Sequence, residues 1–212
     1  MKFTYNLIAG QNAERLAALS DGLFAFAMTL LVLDLRVPAS ELIHSDRDLW
    51  NALLHMAPRL LVWMMSFLTL GIFWVGQQTQ LNYLEKSDRD LTWIHLAFLL
   101  TISLMPFSTS LLAEYMKFRV ALIEYWLNIL APGALLYWNW GHVTHKGLAS
   151  REMPEHVPAV ICRRIVIAQA LYAGGALLCL VNTYWSIGAI VLVQLNYALA
   201  PRFRGKHQGI ED

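Results

Sequence analysis

Charged side chains inside apolar stretches are the first candidates for chemistry, because a carboxylate there must be paired, hydrogen-bonded or hydrated. Asp21 and Asp34 both lie in residues 20–37, SDGLFAFAMTLLVLDLRV, an otherwise apolar run. That segment is therefore expected to face protein or water rather than acyl chains. Asp34 suits two roles equally, attracting cations to a mouth or pairing with Arg36 or a neighbouring chain. His142 and His145 have the i, i+3 spacing of two metal ligands, but no carboxylate or cysteine completes the set in sequence, so no metal is assigned. Glu124 reads as interfacial, and Cys162 and Cys179 read as small packing residues. Neither Gly-x-Ser-x-Gly nor His-Glu-x-x-His occurs, nor do paired intramembrane aspartates. No catalytic residue and no cofactor are expected, and an enzyme is disfavoured.

The elements that would position these residues follow from composition. Of 212 residues, 57% are hydrophobic and only 15% charged, whereas a soluble domain carries about 25% charged residues. A helix needs about 20 mainly apolar residues to cross the bilayer core. Arg59 to Glu85 encloses 25 uncharged residues, Asp90 to Glu114 encloses 23, Glu124 to Lys146 encloses 21 and Arg164 to Arg202 encloses 37. The last gap divides at Asn182-Thr183-Tyr184-Trp185 into two helices. With Ser20 to Val37 the total is six. The expected fold is all-α and integral to the membrane, a single domain over residues 1–205 followed by a short tail, 206–212. No apolar run precedes the first span, so no cleavable signal peptide is expected.

Local signals refine this picture. Ser20-Asp21 suggests a helix start, and Leu49 to Ala57 suggests a short interfacial helix entering the second span at Pro58. Pro106 predicts a kink in the third span, and Pro132-Gly133 a bend in the fourth. Gly174-Gly175 suggests close helix packing. Lys and Arg divide eleven against five between the two sides of a six-span topology, which places both termini in the cytoplasm of a multi-pass cell-membrane protein.

On a helical wheel at about 100° per residue, Phe26, Leu30 and Leu33 fall within roughly 60° of one another, with Gly22 and Val37 extending the stripe. Such faces usually meet lipid or another helix. Here, though, the stripe lies on the span that carries acids at its ends. Symmetry copies of this helix meeting at an axis would stack the three side chains as apolar rings, which gate pores by dewetting. By the same arithmetic Asp21 points about 140° away, into the bundle, where an arginine would supply both charge and hydrogen bonds.

The segment Arg15-Leu16-Ala17-Ala18-Leu19-Ser20-Asp21-Gly22 with LFAFAMTLLVLDL after it resembles the Arg-x-x-x-Phe-Ser-Asp signature and first helix of the transmembrane protein 175 potassium channel family, prokaryotic single-repeat type. GIFW around Trp74 and LAFLLTISLMPFSTSLLAEY in the third span resemble further family elements. The resemblance covers roughly the first 115 residues. It implies a homotetrameric, potassium-permeable channel whose pore is lined by the first helix of each subunit, with no partner besides lipid and permeant ions and no nucleic acid. The family's apolar constriction maps onto Phe26, Leu30 and Leu33, and its helix threonine onto Thr29. Arg15, Ser20, Asp21 and Trp74 match its signature network. Leu19 stands where the signature has Phe, Phe26 where a branched aliphatic is usual, and Gln77-Gln78 where a His pair is common. The rival reading is a secondary transporter of a small solute or ion. Against it, the spans show neither repeat symmetry nor clustered midplane charges.

Overall fold

The computed structural model describes residues 12–199, which form seven helices in one bundle and no β-strand. They are α1 (Ala13–Leu30), α2 (Asp46–Leu81), α3 (Arg89–Ser103), α4 (Met105–Glu114), α5 (Arg119–Lys146), α6 (Val157–Leu177) and α7 (Thr183–Leu199). Five helical segments among the described residues are long and apolar enough to cross a membrane: Ala13–Asp34, Asp46–Leu81, Arg89–Glu114, Arg119–Lys146 and Val157–Leu180. The chain is thus a multi-pass membrane protein. Helix α7 packs on α6 and α2 and is described over 17 residues. The expected tail lies outside the described residues.

Three starts are set by side-chain caps. Asn12, Ser45 and Asp88 each accept a hydrogen bond from a backbone N–H of the first turn, satisfying a donor that has no partner within the helix. The cap at Asn12 corrects the expected start at Ser20-Asp21: that pair sits two turns inside α1, so its side chains are free to bond to other helices. A second correction concerns α2, one continuous helix of 36 residues with Pro58 inside it. At about 1.5 Å per residue it is some 54 Å long and exceeds the bilayer core, so Leu49 to Ala57 are its own first turns rather than a separate interfacial helix.

The third span breaks where Pro106 predicts, with Leu104 separating α3 from α4. A proline lacks the N–H that would bond four residues back, so the junction needs polar partners from a neighbouring helix. Asn128 of α5 provides them. Its amide nitrogen reaches Thr101 O at 3.0 Å and its oxygen accepts from Met105 N at 3.2 Å. The expected bend at Pro132 does not interrupt α5, which runs unbroken from Arg119 to Lys146.

Aromatic and aliphatic side chains of α1 to α7 form the main core, in which Phe98 of α3 lies 6.1 Å from Phe24 and 6.4 Å from Phe73. A smaller cluster around Leu91, Trp140, Val143 and Ile161 closes one end. There the α2–α3 turn pairs with the α5–α6 loop through Glu85 N to Leu148 O at 3.0 Å and Ser150 N to Tyr83 O at 2.8 Å. Helices α6 and α7 join through a turn that begins at Leu178–Leu180, a few residues before the expected Asn182-Thr183-Tyr184-Trp185, because Thr183 already starts α7, and they meet at Gly175, where a Cβ would lie in ordinary contact 3.4 Å from Ile190. Gly174 has no such neighbour.

Asn128→Ala would leave the Met105 amide without a partner and the Thr101 carbonyl with only the Leu104 N–H at 3.3 Å, and is expected to destabilise the protein by about 1–3 kcal/mol. Thermal unfolding of the purified variant in detergent checks this, and an unchanged midpoint rejects the role assigned to Asn128.

Candidate functional site

Helix α1 presents two contrasting faces. Leu16, Ser20, Phe24, Ala27 and Leu31 are buried against α2, α3 and α4 at spacings of three and four residues, the repeat of one helical face. On the opposite side Phe26 is 64% exposed, Leu33 71% and Val37 86%, with Leu19, Gly22 and Thr29 also exposed and Leu30 half-buried. After Leu30 the helix tightens to a 3₁₀ turn over Leu31–Asp34. At three residues per turn, Leu33 then stands directly beyond Leu30. The structure therefore brings Phe26, Leu30 and Leu33 onto one outward apolar stripe. Thr29 borders it, with its hydroxyl donating to Phe26 O at 2.8 Å.

Polar bonds fix which face is turned out. Near the N-terminal end, the fully buried Ser20 Oγ accepts from Gln77 Nε2 at 2.7 Å, lies 2.7 Å from His95 Nε2 and donates to Leu16 O at 2.8 Å. One residue on, Asp21 Oδ1 accepts from Trp74 Nε1 at 2.8 Å and Gln78 Nε2 at 2.7 Å. At the far end, Ser110 Oγ of α4 donates to Asp34. So α1 is held to α2 and α3 at one end and to α4 at the other. Both glutamines of the Gln77-Gln78 departure are direct partners of the Ser20-Asp21 pair.

Two expectations about this network are corrected. Asp21 is exposed at the edge of the protomer rather than packed inside the bundle, because one residue past buried Ser20 is a turn of about 100°. Its partners are an indole and an amide, not an arginine. Arg15 makes no ion pair among the described residues, and its backbone N–H is taken by the Asn12 cap. Sequence reasoning missed His95, although a histidine in the apolar run of α3 that is 2% exposed is the signal that points to it.

The remaining candidates take structural places. Glu124 accepts from Ser108 Oγ at 2.8 Å rather than standing free at an interface. His142 pairs with Asp88 at 2.9 Å, with Asp90 close by, so the fold supplies the carboxylates missing from the sequence pattern, while His145 takes no part. Burial of Asp88 opposes ionisation, but the Leu91 N–H and His142 outweigh it and hold its carboxyl below the usual range. Both cysteines are free thiols.

Comparisons with known proteins bear on this arrangement. A family model described as "Endosomal/lysosomal potassium channel TMEM175" matches residues 15–106. A potassium channel of Streptomyces collinus is 35% identical over 63% of this chain and 65% of its own length. One of Chamaesiphon minutus is 28% identical over 87% of this chain and 93% of its own. The crystal structure of a lysosomal potassium-selective channel TMEM175 homolog from Chamaesiphon minutus superposes with a TM-score of 0.78, at 27% identity over 89% of this chain and 97% of that one.

Asp21→Ala would strand the Trp74 and Gln78 donors and is expected to destabilise the protein by about 1–2 kcal/mol. Asp21→Asn, which retains an acceptor oxygen, should lose less. Equal melting temperatures for the two variants would contradict the hydrogen-bonding role.

Proposed function

The chain belongs to the TMEM175 family of ion channels, prokaryotic type, and on that footing we propose that it is the subunit of a homotetrameric, potassium-permeable channel in the cell membrane. The family and the relatives are ion channels, not enzymes. In this reading four α1 helices surround the ion path, Phe26, Leu30 and Leu33 form its narrow apolar layers, and Thr29 borders them. Each subunit crosses the membrane six times, α3 and α4 counting as one broken span and α7 as the sixth, with both termini cytoplasmic.

One observation carries the proposal. Helix α1, whose buried face is tied to α2 and α3 through Ser20, presents an apolar stripe on its other face that no described residue covers. A helix meant only to meet lipid does not need its rotation fixed by bonds at both ends, whereas a pore-lining helix does, because a small rotation would carry Phe26 or Leu33 off the axis.

The chemistry of passage follows from hydration. An apolar constriction gives an ion nothing to replace its water shell. Potassium, being larger than sodium, holds that shell less tightly and sheds part of it more readily. Preference for potassium then arises at the narrowest ring without a carbonyl-lined filter, and it is modest.

Potassium flux into liposomes holding the purified protein, with reversal potentials under bi-ionic conditions and a mass measurement of the solubilised complex, tests the whole reading. Equal permeability of potassium and sodium rejects the selectivity, and a monomer mass rejects the pore. Leu30→Asn is expected to hydrate the constriction, raising basal current and narrowing the difference between the two ions. Conductance identical to wild type would remove Leu30 from the ion path.

A further inference from the structure

Three side chains stand in a row beside the break between α3 and α4. Glu124 Oε1 lies 2.8 Å from Ser108 Oγ, and Ser108 Oγ lies 2.7 Å from the side-chain amide of Asn128. Ser108 is fully buried, and its hydroxyl has one proton to give. A third acceptor, Leu104 O, is 3.4 Å away, too far to compete with either neighbour.

The row can therefore be ordered in two ways. In the first, Ser108 donates to Glu124, and Asn128 turns its NH₂ toward Ser108. The amide then sets its oxygen against Thr101 O and its nitrogen against the Met105 N–H, so neither backbone group is answered. In the second, Asn128 is turned over: its oxygen accepts from Ser108 at 2.7 Å and from Met105 N at 3.2 Å, and its nitrogen donates to Thr101 O at 3.0 Å. The Ser108 proton is now spent on Asn128, so the contact to Glu124 is a hydrogen bond only if the carboxyl brings a proton and donates to Ser108 Oγ. One proton on Glu124 thus decides which way the amide faces.

Ser108 is well placed to register that proton. Glu124 is half-buried, five residues into α5, and its other oxygen, Oε2, is buried without a hydrogen bond among the described residues. Few other groups on the neighbouring elements titrate. Helix α3 beyond His95 and α2 beyond Arg59 carry none, α4 carries Glu114, which pairs with Arg59, and α6 beyond Arg164 carries Tyr172. The α4–α5 connection adds Tyr115 and Lys117. On α5 itself, Arg119 donates to Leu180 O, and the Tyr125 hydroxyl is bonded to Ser66 and Thr69.

We propose that Glu124 is a proton-controlled positioning residue for the break in the third span. With its proton, the carboxyl holds Asn128 against Thr101 and Met105 through Ser108; without it, the amide turns away and the junction between α3 and α4 loosens.

Two readouts on the purified full-length protein test this from about pH 4 to about pH 9. Infrared difference spectra report the C=O stretch of a protonated carboxylic acid, assigned to Glu124 by its loss in Glu124→Gln. Amide hydrogen exchange, expressed as a protection factor, reports the Met105 N–H. In wild type the protection of Met105 is expected to fall roughly tenfold as the Glu124 acid band disappears with rising pH. Glu124→Gln, whose amide can always donate to Ser108, should keep the high protection at every pH. Ser108→Ala should leave the acid band titrating while the protection of Met105 no longer follows it. The proposal is overturned if no acid band of Glu124 titrates, if Met105 protection in wild type is independent of that band, or if the same pH dependence persists in either variant. Neither readout uses ion flux, so failure here leaves the channel reading untouched.

Discussion

The structure depends on one constraint: away from water, a polar group must find its partner within the protein. Ser20 shows how strictly this is met. Its single hydroxyl engages α1, α2 and α3 together, through Leu16 O, Gln77 and His95. Satisfying that one atom fixes both the depth and the rotation of α1. The same constraint acts at Asn128, which answers the backbone groups exposed by the break at Leu104. It acts again between Tyr125, Ser66, Thr109 and Thr69, whose hydroxyls join α2, α4 and α5 inside the bundle. Hydrophobic contact sets the shape of these interfaces, but in lipid it distinguishes poorly between one rotation of a helix and another.

Much of this was legible in the sequence, and the physical reason differs from case to case. The long spans could be read because lipid excludes charge, so gaps between Arg, Lys, Asp and Glu mark hydrocarbon. The break near Pro106 was legible because a missing N–H is a covalent fact. The outward stripe of Phe26, Leu30 and Leu33 was legible from helical periodicity alone, and the 3₁₀ turn after Leu30 leaves the stripe aligned.

What could not be read were partnerships across helices. Nothing local couples Ser20 to His95, 75 residues away, or Asp34 to Ser110, 76 residues away. The Ser20-Asp21 pair also misled in a specific way. A serine followed by an aspartate is a common helix start, and only the cap at Asn12 frees both side chains to bond elsewhere. His142 was likewise ambiguous, since Asp88 reaches it only because the α2–α3 turn folds against the end of α5.

The break at Leu104 has a mechanical consequence for α1. One end of that helix is bonded to His95 of α3 and the other to Ser110 of α4, so its two attachments belong to separate rigid pieces joined at a flexion point. A change of angle there cannot shift both attachments by the same amount. The difference must be absorbed as torsion along α1, and the tightened turn from Leu31 to Asp34, with its poorer hydrogen-bond geometry, is the part least able to resist it.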